Sequence, residues 1–256
     1  MTGSLKRELD FAAEVARHAG GITLGYFQSG VEADLKEDES PVTIADREAE
    51  QEIRRLIRQA YPDDGILGEE FGRQEGSSGR VWIVDPIDGT KTFVQGVPLY
   101  GVLIGLDSAE GVLAGAAYLP ALDEMVCAAR GEGCWWNGQR SQVSPVSSLS
   151  AACACYTSER SFDAQNRGGI RDRVAAATRL WRGWGDCYGH ILVATGRAEV
   201  MFDPVMNPWD CAPFEVIMAE AGGTFTDWGG EPTIHGADAV STNGHVYEEV
   251  MSFIGS

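Results

Sequence analysis

Val81-Trp82-Ile83-Val84-Asp85-Pro86-Ile87-Asp88-Gly89-Thr90 is the stretch on which both fold and chemistry turn. Its first four residues are uninterruptedly apolar, the pattern of a strand buried on both faces. That strand leads into two carboxylates three residues apart. Pro86 fixes the backbone between them, Gly89 permits a tight turn, and Thr90 opens a helical turn. Carboxylates at a strand end can hold a hard divalent cation, and free N–H groups at a helix start can hold a phosphate. Taken alone, the same residues read more simply as a helix-capping Asp85 and a turn-closing Asp88.

Upstream, Leu5, Leu9, Ala12, Ala13, Val15, Ala16 and Ala19 fall near one helical stripe, ending at Gly20-Gly21 or continuing through 22–27. The acidic stretch 32–40 reads as a loop or mobile hairpin. Thr43 precedes a helix over 46–60 with Ile53, Leu56 and Ile57 on one face, stopped by Pro62. Ile66-Leu67 is a short strand candidate, and strands at 99–106, 112–119 and 124–129 suggest an antiparallel meander, followed by a turn-rich 131–138. Beyond the Ser-rich 141–150, strands (151–156, 180–184, 199–202, 224–226, 239–241) alternate with helices (165–177, 189–195, 208–221, 245–253). The class is α+β. An α+β half, residues 1–140, carries most candidate ligands, and an α/β half, residues 141–256, completes the site; the connection is too apolar for a free linker, so the halves share an interface.

A chain of 256 residues with 44% hydrophobic content can bury a substantial core. Its net charge of −18 argues against a nucleic-acid or anionic-membrane surface, which needs clustered Lys and Arg. Most of the acidic excess is expected to be solubilising surface, with some carboxylates converging where only metal ions neutralise them. No secretory signal or span of ~20 apolar residues is visible. The six cysteines show no paired CxxC spacing, so reduced, mostly buried thiols in a cytoplasmic protein are expected, and zinc is disfavoured.

Two other segments place acids near element ends. Gly68-Glu69-Glu70 follows a short apolar run, and adjacent acids are costly to bury unpaired. Asn207-Pro208-Trp209-Asp210 puts Asp210 in the first turn of a helix, where a lone acid would merely favour the dipole. With Phe93, Pro41-Val42-Thr43-Ile44-Ala45-Asp46 and the helix end Glu220-Ala221-Gly222-Gly223, these segments resemble the inositol monophosphatase family, in the right order across essentially the whole chain.

The resemblance implies a layered α-β-α-β-α sandwich, shared with fructose-1,6-bisphosphatases, with the site between the halves. It implies a homodimer and a Mg²⁺-dependent hydrolase of small phosphate monoesters using two to three ions. Glu69, Asp85 and the Ile87 carbonyl would hold one ion, and Asp85, Asp88 and Asp210 a second. Asp46, with Glu69, would serve a weaker third or its waters. Oxygen-only ligation suits Mg²⁺. Clustered cations neutralise the ester dianion and lower the pKa of a bound water, which Thr90 and Glu69 would orient for in-line attack. Asp88, Gly89 and Thr90 would face the phosphate, the last two through their amides. His18, His190, His235 and His245 have no place in this scheme.

For the ester, Arg182-Gly183-Trp184-Gly185-Asp186-Cys187-Tyr188 and Asp203 look like the histidinol-phosphate phosphatase branch. Asp186 and Asp203, alongside Asp210, would face the organic part of the ester, and extra acids suit a cationic group better than a neutral polyol. The alternatives are an inositol-1-phosphate, fructose bisphosphate or adenosine 3′,5′-bisphosphate phosphatase, with Asp186 only a helix cap and Asp203 outside the pocket. An inactive regulatory relative would be expected to lack one of Glu69, Asp85, Asp88, Thr90 or Asp210; all are present.

Overall fold

The computed structural model describes residues 4–30, 32–35 and 41–255. In chain order they form α1 (Lys6–Tyr26), β1 (Asp34–Leu35), β2 (Pro41–Val42), α2 (Ile44–Ala60), β3 (Gly65–Gly68), β4 (Gly72–Gln74), β5 (Val81–Asp88) and α3 (Thr90–Val94). Strands β6 (Gly101–Asp107), β7 (Ala114–Leu119), β8 (Glu124–Ala129), β9 (Gly133–Trp136) and β10 (Gln139–Arg140) follow. The remainder is β11 (Cys153–Tyr156), α4 (Glu159–Ala164), α5 (Gly168–Ala177), β12 (Leu180–Arg182), α6 (Asp186–Ala194), β13 (Val200–Asp203), α7 (Pro208–Ala221), β14 (Thr224–Thr226), β15 (Ala239–Thr242) and α8 (Tyr247–Ile254).

Side-chain alternation along β5 builds two layers at once. Trp82 and Val84 join Leu9, Ala12, Ile53 and Ile57 of α1 and α2, whereas Ile83 points the other way into a core with Ile191, Phe214 and Met218 of α6 and α7. The first sheet runs β10-β9-β8-β7-β6-β5-β3-β4, antiparallel except where β3 meets β5. The second runs β12-β11-β13-β15-β14. Its inner face, with Cys155 and Met201, shares the α6–α7 core, and its outer face carries Phe162, Val174 and Val250 of α4, α5 and α8. Helix pair, sheet, helix pair, sheet and outer helices are the five layers expected of the α-β-α-β-α sandwich.

Several local expectations need correction. Residues 131–138 are not merely turns, since Gly133–Trp136 pairs with β8 and β10. Gly133 sits at φ 77°, which hid a short strand behind a turn signal. Helix α6 begins at Asp186 rather than 189, and α4 was not foreseen. Within 32–40, Asp34–Leu35 pairs with Pro41–Val42, while 36–40 lie outside the described residues.

One irregularity creates the site. Asp85 pairs with Leu103 but Asp88 with Gly101, so three steps on β5 match two on β6. In a regular strand, residues three apart face opposite sides; the bulge returns Asp85 and Asp88 to one side. Pro86, which has no N–H to donate, falls within it.

A buried ion pair anchors the turn after β3. Glu50 accepts from the Glu70 amide at 2.7 Å and the Phe71 amide at 3.2 Å, and is held by Arg54 Nε at 2.7 Å. Gly68 leaves room for it: a Cβ there would stand 2.1 Å from Glu50 Oε1. Glu50→Ala would leave a buried guanidinium unpaired, costing about 3–5 kcal/mol. A fall in Tm on the order of 10 °C is expected by calorimetry; an unchanged Tm would show that the pair does not hold this turn.

Candidate active site and metal centre

The C-terminal end of β5 and the N-terminal ends of α3, α6 and α7 converge on a cavity of about 400 Å³. Asp85, Asp88 and Asp210 each offer one carboxylate oxygen, all within 4.8 Å of one another. The Ile87 amide donates to Asp85 Oδ1 at 2.9 Å, and the Cys187 amide to Asp88 Oδ2 at 2.6 Å. Asp210 Oδ2 accepts from the Asn207 amide at 2.7 Å as one side of a helix capping box. These donors aim the carboxylates at each other without neutralising them.

Burial pushes Asp85 well above the usual carboxylate range, and Glu69, Asp88 and Asp210 push it further. Asp88 is raised likewise, first by burial and then by Asp186 and Asp210. Asp210 reaches about 6, burial outweighing its Asn207 donors. Burial also raises Asp46, whose Oδ2 accepts from the Thr43 amide at 2.8 Å and hydroxyl at 2.6 Å. Its Oδ1 is buried with no hydrogen-bond partner. Glu69 lines the cavity and adds repulsion to Asp46, Asp85 and Asp210. An all-oxygen cluster that repels itself, with an orphaned buried carboxylate oxygen beside it, fits a hard divalent cation.

Folded pKa values above the unfolded ones mean the metal-free native state binds more protons, so its stability falls as pH rises from about 4 through about 6. In EDTA, Tm should be several degrees lower at pH 7.5 than at pH 5.5, and Mg²⁺ should remove most of that gap. Scanning calorimetry with and without Mg²⁺ checks this; a metal-free Tm that rises with pH over this range contradicts it.

Gly89 adopts φ 82°, and a Cβ on it would lie 3.0 Å from Asp186 Oδ2. The Thr90 hydroxyl donates to the Ile87 carbonyl at 3.0 Å, leaving that oxygen a second lone pair. Asp186 lines the cavity, its Oδ2 accepting from the Thr92 hydroxyl at 3.2 Å. Asp203 does not line it. That residue is buried behind the wall, accepting from the Thr157 hydroxyl at 2.6 Å, while the same hydroxyl accepts from the Asp186 amide at 2.8 Å. Asp203 therefore supports the backbone of Asp186. His190 lies in the core, its Nδ1 2.7 Å from the Ser241 hydroxyl, and burial lowers its pKa to about 3.

Sequence reasoning missed Lys91, Thr92, Thr157, Ser158 and Ser161, all in the cavity wall. Lys91 and Thr92 directly follow the Asp85–Thr90 run and could have been found there; Thr157 is brought in only by the second sheet. All six cysteines are free, five of them buried. Among the described residues, no helix is long and apolar enough to cross a membrane.

Residues 4–252 match the profile of the inositol monophosphatase family. A histidinol-phosphatase of Chlorobaculum parvum is 44% identical over 252 residues, covering 97% of each chain. A histidinol-phosphatase of Mycobacterium tuberculosis is 38% identical, covering 96% of each. Among solved structures, the Thermotoga maritima IMPase superimposes with a TM-score of 0.88 at 30% identity, covering 97% of each chain.

Proposed function

Because the chain belongs to the inositol monophosphatase family and is a phosphatase, we propose that it hydrolyses histidinol phosphate with Mg²⁺ as its metal. One observation carries the choice of ester: Asp186 stands in the cavity wall over Gly89, held by Thr92, where it can meet a cationic group on a substrate whose phosphate lies at Gly89–Thr90. Histidinol phosphate supplies an amine and an imidazole for such a carboxylate. Two relatives named histidinol-phosphatase support the same reading.

In this proposal residues 1–140 contribute Glu69, Asp85, the Ile87 carbonyl, Asp88 and Thr90, and residues 141–256 contribute Asp186 and Asp210. Asp85, Asp88 and Asp210 would hold one cation, and Glu69, Asp85 and the Ile87 carbonyl another, with Asp46 serving a weaker third position. Bound there, the metals would supply charge neutralisation of the phosphate and an acidified water. The Gly89 and Thr90 amides would bind phosphate oxygens. The Thr90 hydroxyl and the Glu69 carboxylate would orient the attacking water, and the carboxylate would take up its proton. Asp203, through Thr157, keeps Asp186 in place.

Phosphate release in Mg²⁺ from histidinol phosphate, inositol 1-phosphate, fructose 1,6-bisphosphate and adenosine 3′,5′-bisphosphate tests the assignment. Histidinol phosphate is expected to lead in kcat/KM by about two orders of magnitude, the worth of roughly 3 kcal/mol. A rival with the higher kcat/KM would replace it as the substrate.

A further inference from the structure

A second cavity, of about 420 Å³, shares no lining residue with the catalytic one among the described residues, and its charged lining is cationic where that of the catalytic cavity is mostly acidic. It is lined by Gln51, Arg54 and Arg58 of α2, Phe71 of the following turn, and Arg73 and Gln74 of β4. Three guanidiniums and two amides face it with no carboxylate among the described lining residues, in a chain of net charge −18. Helical spacing stacks Gln51, Arg54 and Arg58 on one face, and Arg73 on the edge strand β4 is exposed.

The three cations differ in how firmly they are engaged. Arg54 is 5% exposed, fixed by Glu50 and the Gly72 carbonyl, and lies 5.9 Å from the Phe71 ring centroid. Arg58 donates to the Gln74 amide oxygen at 3.1 Å and, among the described residues, has no carboxylate partner. Arg73 pairs with Glu75, whose side chain is 77% exposed, a contact worth about 0–1 kcal/mol that a better anion can displace. One guanidinium is thus preorganised while its two neighbours are available, the arrangement that favours a multiply charged oxyanion taking parallel N–H···O bonds.

We propose that Arg54, Arg58 and Arg73 form a second, non-catalytic site for a phosphate group. The group is either free inorganic phosphate or a phosphoryl group on a ring compound that rests against the exposed Phe71. Calorimetric titration of the full chain in EDTA, where the unneutralised catalytic acids repel anions, isolates this site. Inorganic phosphate and phenyl phosphate are the probes.

Saturable one-to-one binding that weakens with added NaCl, and at least about tenfold in Arg58→Gln/Arg73→Gln, is expected. Both changes are at exposed positions outside the catalytic machinery, so Mg²⁺-dependent turnover should be retained and report a folded protein. Phenyl phosphate binding tighter than phosphate, with the gain lost in Phe71→Ala, assigns the site to a phosphorylated ring. Equal binding assigns it to free phosphate. No saturable binding up to about 10 mM, where binding free energy falls below roughly 3 kcal/mol, overturns the proposal. So does binding that the double variant leaves unchanged.

Discussion

Asp88→Asn and Asp210→Asn should each lower kcat by about a thousandfold or more, yet be no less stable than the parent protein in EDTA. The loss of rate reflects the electrostatics of the cluster: neutralising one of three carboxylates gathered within 4.8 Å weakens the hold on the cations that would neutralise a phosphate dianion, an effect of about 4 kcal/mol or more on the barrier. The stability follows from the same geometry. Two carboxylates 4.8 Å apart repel by about 3 kcal/mol at an effective dielectric constant of 20, so an amide relieves strain in the metal-free state. An Asn oxygen can still accept from the Cys187 or Asn207 amide, so the local scaffold persists. In Mg²⁺ the order should invert, with the parent gaining more Tm than either variant. Single-turnover kinetics paired with calorimetry decides it: near-normal turnover in either variant removes that residue from the metal centre, and a large loss of Tm in EDTA makes it a structural acid instead.

How much of this was legible in the sequence depends on how local the cause is. The apolar run into Asp85 and Asp88, the Thr43 cap and the Asn207–Asp210 helix start are each written within a few residues, and they appear where expected. Asp85 and Asp88 nevertheless face the same way only because of the bulge against β6, which depends on a strand some fifteen residues downstream. Glu69 reaches the cavity because Glu50 and Arg54, on another element, pin the turn that follows it. Asp203 illustrates the limit. An acid near the end of a strand can face a cavity or stand behind its wall, and only the position of Thr157, forty-six residues away, decides between them. The strand at Gly133–Trp136 was obscured for another reason: its glycine signals a turn locally, while pairing with β8 is a long-range choice.

Asp186→Asn should lower kcat/KM for histidinol phosphate by about a hundredfold while changing that for inositol 1-phosphate by less than about threefold. The substitution suits the site because Asp186 has φ 50°, a left-handed conformation that Asn tolerates nearly as well as Asp. An Asn oxygen can also keep the Thr92 hydroxyl bond, so the change removes charge and little else. A charge-assisted contact inside a cavity is worth roughly 2–3 kcal/mol, hence the hundredfold. Burial raises Asp186 above the usual carboxylate range while the Thr92 hydroxyl and the Lys91 charge pull it back; without the carboxylate, Lys91 would face the ligand uncompensated and add repulsion toward a cationic ester. If Asp186 served only to start α6, loss of its charge would affect both substrates alike, since each needs the same Cys187 amide on Asp88. The ratio of the two kcat/KM values, rather than either alone, therefore tests specificity. Thr157→Ser and Thr157→Val extend the test: the serine keeps the hydroxyl between Asp203 and the Asp186 amide and should preserve the ratio, whereas the valine loses that hydroxyl and should move the ratio toward that of Asp186→Asn.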